Sequence, residues 1–474
     1  MKFRKIILLI VLISLPLLGY WGYQRYQAYE ARFVCLDGVR YEKTVEELDL
    51  SGKPLCDPEA LSQFSNLKKL DLQGTGMTLE EYKTIRAMFP DTQILWQIPF
   101  QGVFYSMDTE QITVTTLTET DLEVLGFFDQ LKGVDGTNCP DYPVLHRLCQ
   151  EYPELDVTYT IPVLGENCAY DVENLVLPGM EAAALKDVLP YFTHLKTLEL
   201  TAPLAPMEEI RPLMELAPEV AFCWDLELGG ISVDESTETL DLTGIPMTVE
   251  EMDSVLPYLL NLNYVDMTDC GISNEEMDAL DMRYENIKIV WTVSIGWRKY
   301  KTDITTFMPA RDGMTVYNSS LENLRYCHDV YALDIGHMEV WDISFVAHMP
   351  HLKYLLLGDT RVYDLSPLEG LTELVYLELF MTNVSKCDAL LTLTALEDLN
   401  VSYTYCDAEV LAQMPWLKNL WWAKPTTLAW SILPDALKDT HLEFTNKSST
   451  GNGWRELPNY FAQRDAFGLG YMTG

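Results

Sequence analysis

The stretch Leu352-Lys-Tyr-Leu355-Leu-Leu357-Gly-Asp-Thr360-Arg-Val362-Tyr-Asp364-Leu-Ser-Pro367-Leu368-Glu-Gly-Leu371 decides the fold. Its opening L-x-x-L-x-L returns as Leu374, Leu377, Leu379, then as Leu396, Leu399, Val401, then as Leu417, Leu420, Trp422. The central position steps through Leu333, Leu355, Leu377, Leu399, Leu420 and Leu442 at intervals of 22, 22, 22, 21 and 22 residues. Each L-x-L reads as a short strand whose alternate side chains point inward. The residues between strands return the chain beside its start. No single turn buries its own apolar side, so the turns must stack into a solenoid.

These repeats resemble the leucine-rich repeat family. The quoted stretch is similar to the 22-residue repeat of internalin-type bacterial cell-surface proteins. Where that family usually places Asn, this chain has Thr360, Thr382 and Thr404. The resemblance implies an α/β leucine-rich-repeat solenoid, with a parallel β-sheet on the concave face and helices or 3₁₀ turns on the convex face. It also implies recognition of a protein partner and a backbone hydrogen bond from the residue at the Thr position.

Upstream the period lengthens. Leu67, Leu131, Leu195 and Leu262 open similar segments at steps of 64, 64 and 67 residues. Trp96, Tyr159, Trp224 and Trp291 follow at steps of 63, 65 and 67. Each superunit of about 65 residues is read as three strands of the same solenoid. The four aromatics share a strand face with apolar neighbours such as Ile94 and Ile98, so they are expected in the core and not in a sugar-stacking row. Thr78-x-x-Glu81, Thr248-x-x-Glu251 and Ser273-x-x-Glu276 are capping boxes that start helices, and Asp57-Pro58 is a comparable start. The reading places an irregular array at 46–297, a connector at 298–330 and the regular 22-residue array at 331–445. An N-terminal cap at 24–45 and a C-terminal cap at 446–474 close the ends.

Ile6 to Tyr23 contains no charge and follows Lys2, Arg4 and Lys5. Eighteen helical residues rise about 27 Å, close to a hydrocarbon core of about 30 Å. Residues 1–5 therefore read as a cytoplasmic tail and 6–23 as a transmembrane signal-anchor, with Tyr20, Trp21, Tyr23 and Tyr26 as an interfacial aromatic belt. The alternative is a cleaved signal peptide and secretion. Either route exports the rest of the chain. The full 474 residues hold 33 Lys and Arg against 71 Asp and Glu, a net charge of −38. Beyond residue 34 the balance is 28 bases to 70 acids, net −42. That charge argues against a nucleic-acid partner, which needs cations to displace phosphate counterions. It argues equally against lying on an anionic lipid surface.

No nucleophile-elbow, zinc-protease, P-loop, dinucleotide or EF-hand spacing is present. The chain is accordingly read as no enzyme, with no catalytic residue, cofactor or metal. His348-x-x-His351 has metal-like spacing but lies in a turn without a third ligand. The ten cysteines are irregularly spaced without C-x-x-C. Cys139 and Cys270 fall at interior repeat positions and read as unpaired thiols. Cys35 and Cys56 lie 21 residues apart, one repeat period, and form a candidate disulfide.

One column rises above background. The residue after each inward strand position points to the concave, solvent side. Among eighteen such positions, nine are acidic and none basic. The candidate binding face is Asp49, Asp71, Asp135, Glu199, Asp241, Asp266, Asp334, Glu378 and Glu443, with Trp421 as an exposed aromatic anchor beside inward Trp422. Strands about 4.8 Å apart bring these acids close enough to repel until a counter-charge arrives. The expected role is a membrane-anchored extracellular protein that recognises a basic protein through this face. The rival readings are a cell-envelope hydrolase using concave carboxylates, and a structural spacer without ligand.

Overall fold

Leu48, Leu70 and Ile94 show how the repeats become structure: each is the buried centre of a three-residue strand, and the strands pair in parallel with these residues in register. The structure is a computed structural model that describes residues 19–55, 57–425, 428–444 and 448–470. Residues 1–223 and 224–474 form two compact units.

The first unit holds three parallel triplets. They are Glu47–Asp49 with Lys69–Asp71 and Gln93–Leu95; Gln111–Thr113 with Gly133–Gly136 and Asp156–Val163; and Asn174–Pro178 with Thr197–Thr201 and Ala221–Cys223. The second unit holds one triplet, Thr239–Asp241, Tyr264–Asp266 and Lys288–Val290, and then a parallel sheet of seven strands. That sheet runs through Thr306–Phe307, Ala332–Asp334, Tyr354–Leu356, Tyr376–Glu378, Asp398–Asn400, Asn419–Trp421 and His441–Glu443. Its first strand lies inside the stretch 298–330 read from sequence as a connector.

Each triplet is followed by an antiparallel hairpin that the repeat period hides. The hairpins are Gln97–Phe100 with Val103–Ser106, the end of Asp156–Val163 with Glu166–Ala169, Asp225–Leu228 with Ile231–Asp234, and Thr292–Ile295 with Arg298–Lys301. A superunit is therefore three strands plus a hairpin, not three equal turns. The two-residue loop Gln101-Gly102 explains why: both residues have positive φ, 51° and 79°, the geometry that closes a twisted hairpin.

The convex side follows the capping chemistry. Helices Leu79–Met88, Val249–Val255 and Asn274–Arg283 begin at Thr78, Thr248 and Ser273, each in a complete capping box. The tighter 22-residue turns carry 3₁₀ segments such as Ser344–His348, Ser366–Leu368 and Asp388–Thr392, or four-residue helices such as Ala408–Leu411. Trp96, Tyr159, Trp224 and Trp291 are all buried, as their strand face requires. In the second unit one apolar cluster extends from Leu228 to Leu437. Thr360, Thr382 and Thr404 each donate a hydroxyl hydrogen bond to the carbonyl three residues earlier, at 2.7, 2.7 and 2.6 Å.

At the N-terminus, residues 1–18, which hold the expected tail and most of the expected 6–23 anchor, lie outside the described residues. Residues 19–30 are helical, with Tyr20, Trp21, Tyr23 and Tyr26 all exposed. No helix among the described residues is long and apolar enough to cross a membrane.

Candidate functional site on the concave faces

All eighteen concave positions fall on strands, in register within each sheet. Asp49 sits opposite Asp71, Thr113 opposite Asp135, Val176 opposite Glu199, and Asp241 opposite Asp266. In the large sheet the column reads Asp334, Leu356, Glu378, Asn400, Trp421 and Glu443.

The acids have a local structural cause. Asp49, Asp71, Asp135, Asp241, Asp266 and Asp334 each accept a hydrogen bond from the backbone N–H two residues on, at 2.9–3.0 Å. A short side chain with an oxygen at this position satisfies the backbone where the strand turns away. Asn400 does the same for Ser402 at 3.1 Å, so the turn needs the acceptor and not the charge. Hydrogen bonding from Ser51, Thr137 and Thr243, by the side-chain hydroxyl first and the backbone N–H second, holds the Asp49, Asp135 and Asp241 carboxyls below their ordinary range.

Exposure divides the ten candidates. Asp49, Asp135, Glu199 and Asp241 are exposed, while Asp71, Asp334 and Glu443 are half-buried. Asp266 is buried and already neutralised: burial opposes its charge, but the Lys301 ammonium at 2.6 Å and the Thr268 N–H outweigh it and lower its pKa. The first residues of the strands form a second concave column in each sheet; in the first triplet it pairs Glu47 with Lys69, and in the fourth it includes Lys288 beside Tyr264. The concave side is thus less uniformly acidic than one column implied.

Two expectations are overturned in the seven-stranded sheet. Trp421 is not an exposed anchor but 1% exposed, and Glu378 is buried as well. Residues 448–470 lie across this concave face instead of closing the end of the array. Trp454 packs 5.2 Å from the Tyr376 ring and 5.4 Å from that of Trp421, and its indole N–H donates to Glu378 at 2.7 Å. The Trp421 indole N–H donates to the Gly451 carbonyl at 2.9 Å, and the Asn400 amide to the Ser449 carbonyl at 2.8 Å. Arg311, beside the first strand, donates to the Phe467 carbonyl. Strand alternation tells which side a residue faces, not whether another segment covers that side. The only sequence signal was the aperiodic aromatic content of the tail, Trp454, Tyr460 and Phe467.

Among the cysteines, Cys35 is exposed on the strand Phe33–Leu36, and Cys56 lies outside the described residues. Cys139 and Cys270 are buried thiols, the latter donating to the Leu242 carbonyl at 3.1 Å. A disulfide unforeseen from sequence joins Cys387 to Cys406, with Cα atoms 6.0 Å apart.

No protein-family model matches the sequence, and no curated protein is similar enough to match. Solved structures do match. An internalin, InlF, from Listeria monocytogenes is 13% identical over 86% of this chain and 91% of its own, with a TM-score of 0.26. A leucine-rich repeat protein from Leptospira interrogans is 15% identical over 84% of this chain and 96% of its own, with a TM-score of 0.27. The functional domain of Listeria monocytogenes InlJ, described as including a cysteine ladder, is 12% identical over 88% and 56% of the two chains, with a TM-score of 0.23. The stacked L-x-L strands described above show a leucine-rich-repeat fold in their own right.

Proposed function

We propose that the chain is a membrane-anchored extracellular leucine-rich-repeat protein that recognises a basic protein partner through the open acids of its parallel triplets. The observation behind this reading is that Asp49, Asp135, Glu199 and Asp241 stay exposed in strand register. For Asp49, Asp135 and Asp241, hydrogen bonds from the hydroxyl and backbone N–H of Ser51, Thr137 and Thr243 also favour the ionised form. The buried Cys387–Cys406 bridge supports export, because such bonds persist in oxidising compartments. The uncharged run Ile6 to Tyr23 supports anchoring, with secretion after cleavage as the alternative. A hydrolase is less well supported. Asp334, Glu378 and Asp398, the concave acids held above their ordinary range by burial, lie on the seven-stranded sheet that the C-terminal segment covers.

The test uses charge removal that spares the turn. Asp49→Asn, Asp135→Asn and Asp241→Asn keep the acceptor that Asn400 shows to be sufficient, so the triple variant should melt like the parent. Its capture of a basic partner from surface extracts should fall about tenfold or more, and parental binding should weaken as salt rises. Binding indifferent to both changes would remove the concave-face reading.

A further inference from the structure

The seven-stranded sheet has two faces and two separate apolar clusters. Its inner leucines, Leu333, Leu355, Leu377, Leu399 and Leu420, belong to the continuous solenoid core. On the opposite, concave face Ala332, Leu356, Tyr376 and Trp421 form a second cluster with Trp454 and Phe467. The strand ladder is complete without the C-terminal segment, because every strand pairs with its neighbour. Residues 448–470 therefore lie against a finished surface and touch it as a bound peptide would. One tryptophan fills an aromatic slot, two backbone carbonyls accept from Trp421 and Asn400, and the helix Pro458–Ala466 follows.

We infer that residues 448–470 are a tethered internal ligand, and that the concave groove they fill is a second binding site, for a tryptophan-anchored, helix-forming peptide. The partner chemistry follows from the slot. Tyr376 and Trp421 flank an indole, and Glu378 accepts its N–H, a contact that phenylalanine could not make. This is distinct from the acidic triplets, and the variants proposed for those triplets leave the segment untouched.

The groups beneath the segment make its release sensitive to pH. Glu378 faces Tyr376, Trp454, Asp334 and Arg455, with Tyr460 against Tyr376. Asp398 faces Asn419, Asn459, Glu397 and Lys418, and Asp334 faces the Gly336 N–H and His337. Burial holds all three carboxyls above the ordinary carboxylate range. A group whose pKa is raised in the closed state favours closure below its ordinary pKa, and that preference is lost as pH rises through the raised value. Opening should therefore increase with pH.

A fluorescent synthetic peptide of sequence 448–470 tests the inference on the full-length protein. Trp454→Ala should weaken the internal ligand while leaving the groove whole, so this variant should bind the peptide at least tenfold more tightly than the parent does. Adding Glu378→Ala to it should abolish the gain. In the parent, hydrogen exchange at 448–470 should exceed that of the strands beneath, and after correction for intrinsic rates should quicken with pH; Glu378→Gln should flatten that rise. A folded Trp454→Ala protein that binds peptide no better than the parent would overturn the inference. So would a Trp454→Ala protein that loses the whole sheet, since the segment would then be a piece of core.

Discussion

Lys301 places its ammonium 2.6 Å from the carboxylate of Asp266, 35 residues away, across from the hairpin to the triplet before it. The concave column is therefore partly neutralised from within the chain. Lys299 repeats the arrangement with Asp269 at 2.7 Å, so this hairpin supplies counter-charge to its own triplet.

Lys301→Met should cost about 1 kcal/mol at neutral pH, because the pair is partly exposed and only Asp266 is deeply placed. The sign with pH is fixed by Asp266, whose pKa is depressed in the folded state. Its contribution is present above the ordinary carboxylate pKa of about 4 and is lost as pH falls through the depressed value. Urea titrations of parent and variant should therefore converge in acid. A difference that persists at pH 2 would mean that the lysine stem, not its charge, supports the site.

Trp421 ends the strand Asn419–Trp421 and Trp422 follows it; both are buried, Trp421 in the concave cluster and Trp422 in the solenoid core. Trp422→Ala deletes part of the solenoid core and should cost about 3–5 kcal/mol. Trp421→Ala should cost a comparable amount but act elsewhere, loosening residues 448–470 while the leucine core stays protected. Limited proteolysis with mass mapping separates them: Trp421→Ala should be cut first after residue 447. Equal cutting throughout both variants would show that the two faces do not unfold separately.

Much of this was legible in the sequence, and the failures share a cause. Strand positions from Leu48 to Leu442, the buried aromatics and the helix starts all depend on local spacing, which survives in one dimension. The hairpins were lost because Gln97–Phe100 continues the apolar alternation of Gln93–Leu95, so the two strands read as one. The Gln101-Gly102 turn was the available signal. The burial of Trp421 and Glu378 depends on Trp454, 76 residues beyond Glu378, and no period connects them. The acids do share strand columns within each sheet, but for the aspartates the turn bonds supply a cause that composition alone could not separate from ligand binding.

Thr248 accepts a hydrogen bond from the Glu251 N–H at 3.2 Å, and Glu251 accepts in return from the Thr248 N–H at 2.8 Å. Thr248→Ala removes one half of this reciprocal cap and should lower stability by about 1 kcal/mol. The urea midpoint should move with no change in slope, because the surface exposed on unfolding is the same. An unchanged midpoint would show that packing of Met252 and Val255 holds the helix without its cap.

Cys387 and Cys406 occupy neighbouring turns of the regular array, 19 residues apart, and both are almost fully buried. Their Cα separation of 6.0 Å falls inside the range a disulfide spans without moving the backbone. Closing a loop of about 20 residues should stabilise the fold by about 3 kcal/mol, chiefly by restricting the unfolded chain. Both sulfur-bearing residues are buried within the apolar core of this unit, so a reductant reaches the bridge only when the turns open. Cys387→Ala with Cys406→Ala should therefore lower the unfolding free energy by about 3 kcal/mol, and reduction of the parent should be slow until denaturant is added. Non-reducing peptide mapping of exported protein, denatured in the presence of an alkylating agent, should recover the Cys387 and Cys406 peptides linked. The same map reads Cys35 and Cys56, whose pairing rests on sequence spacing alone. Alkylated thiols at both Cys387 and Cys406 would mean that the bridge is not formed and would withdraw its support for export.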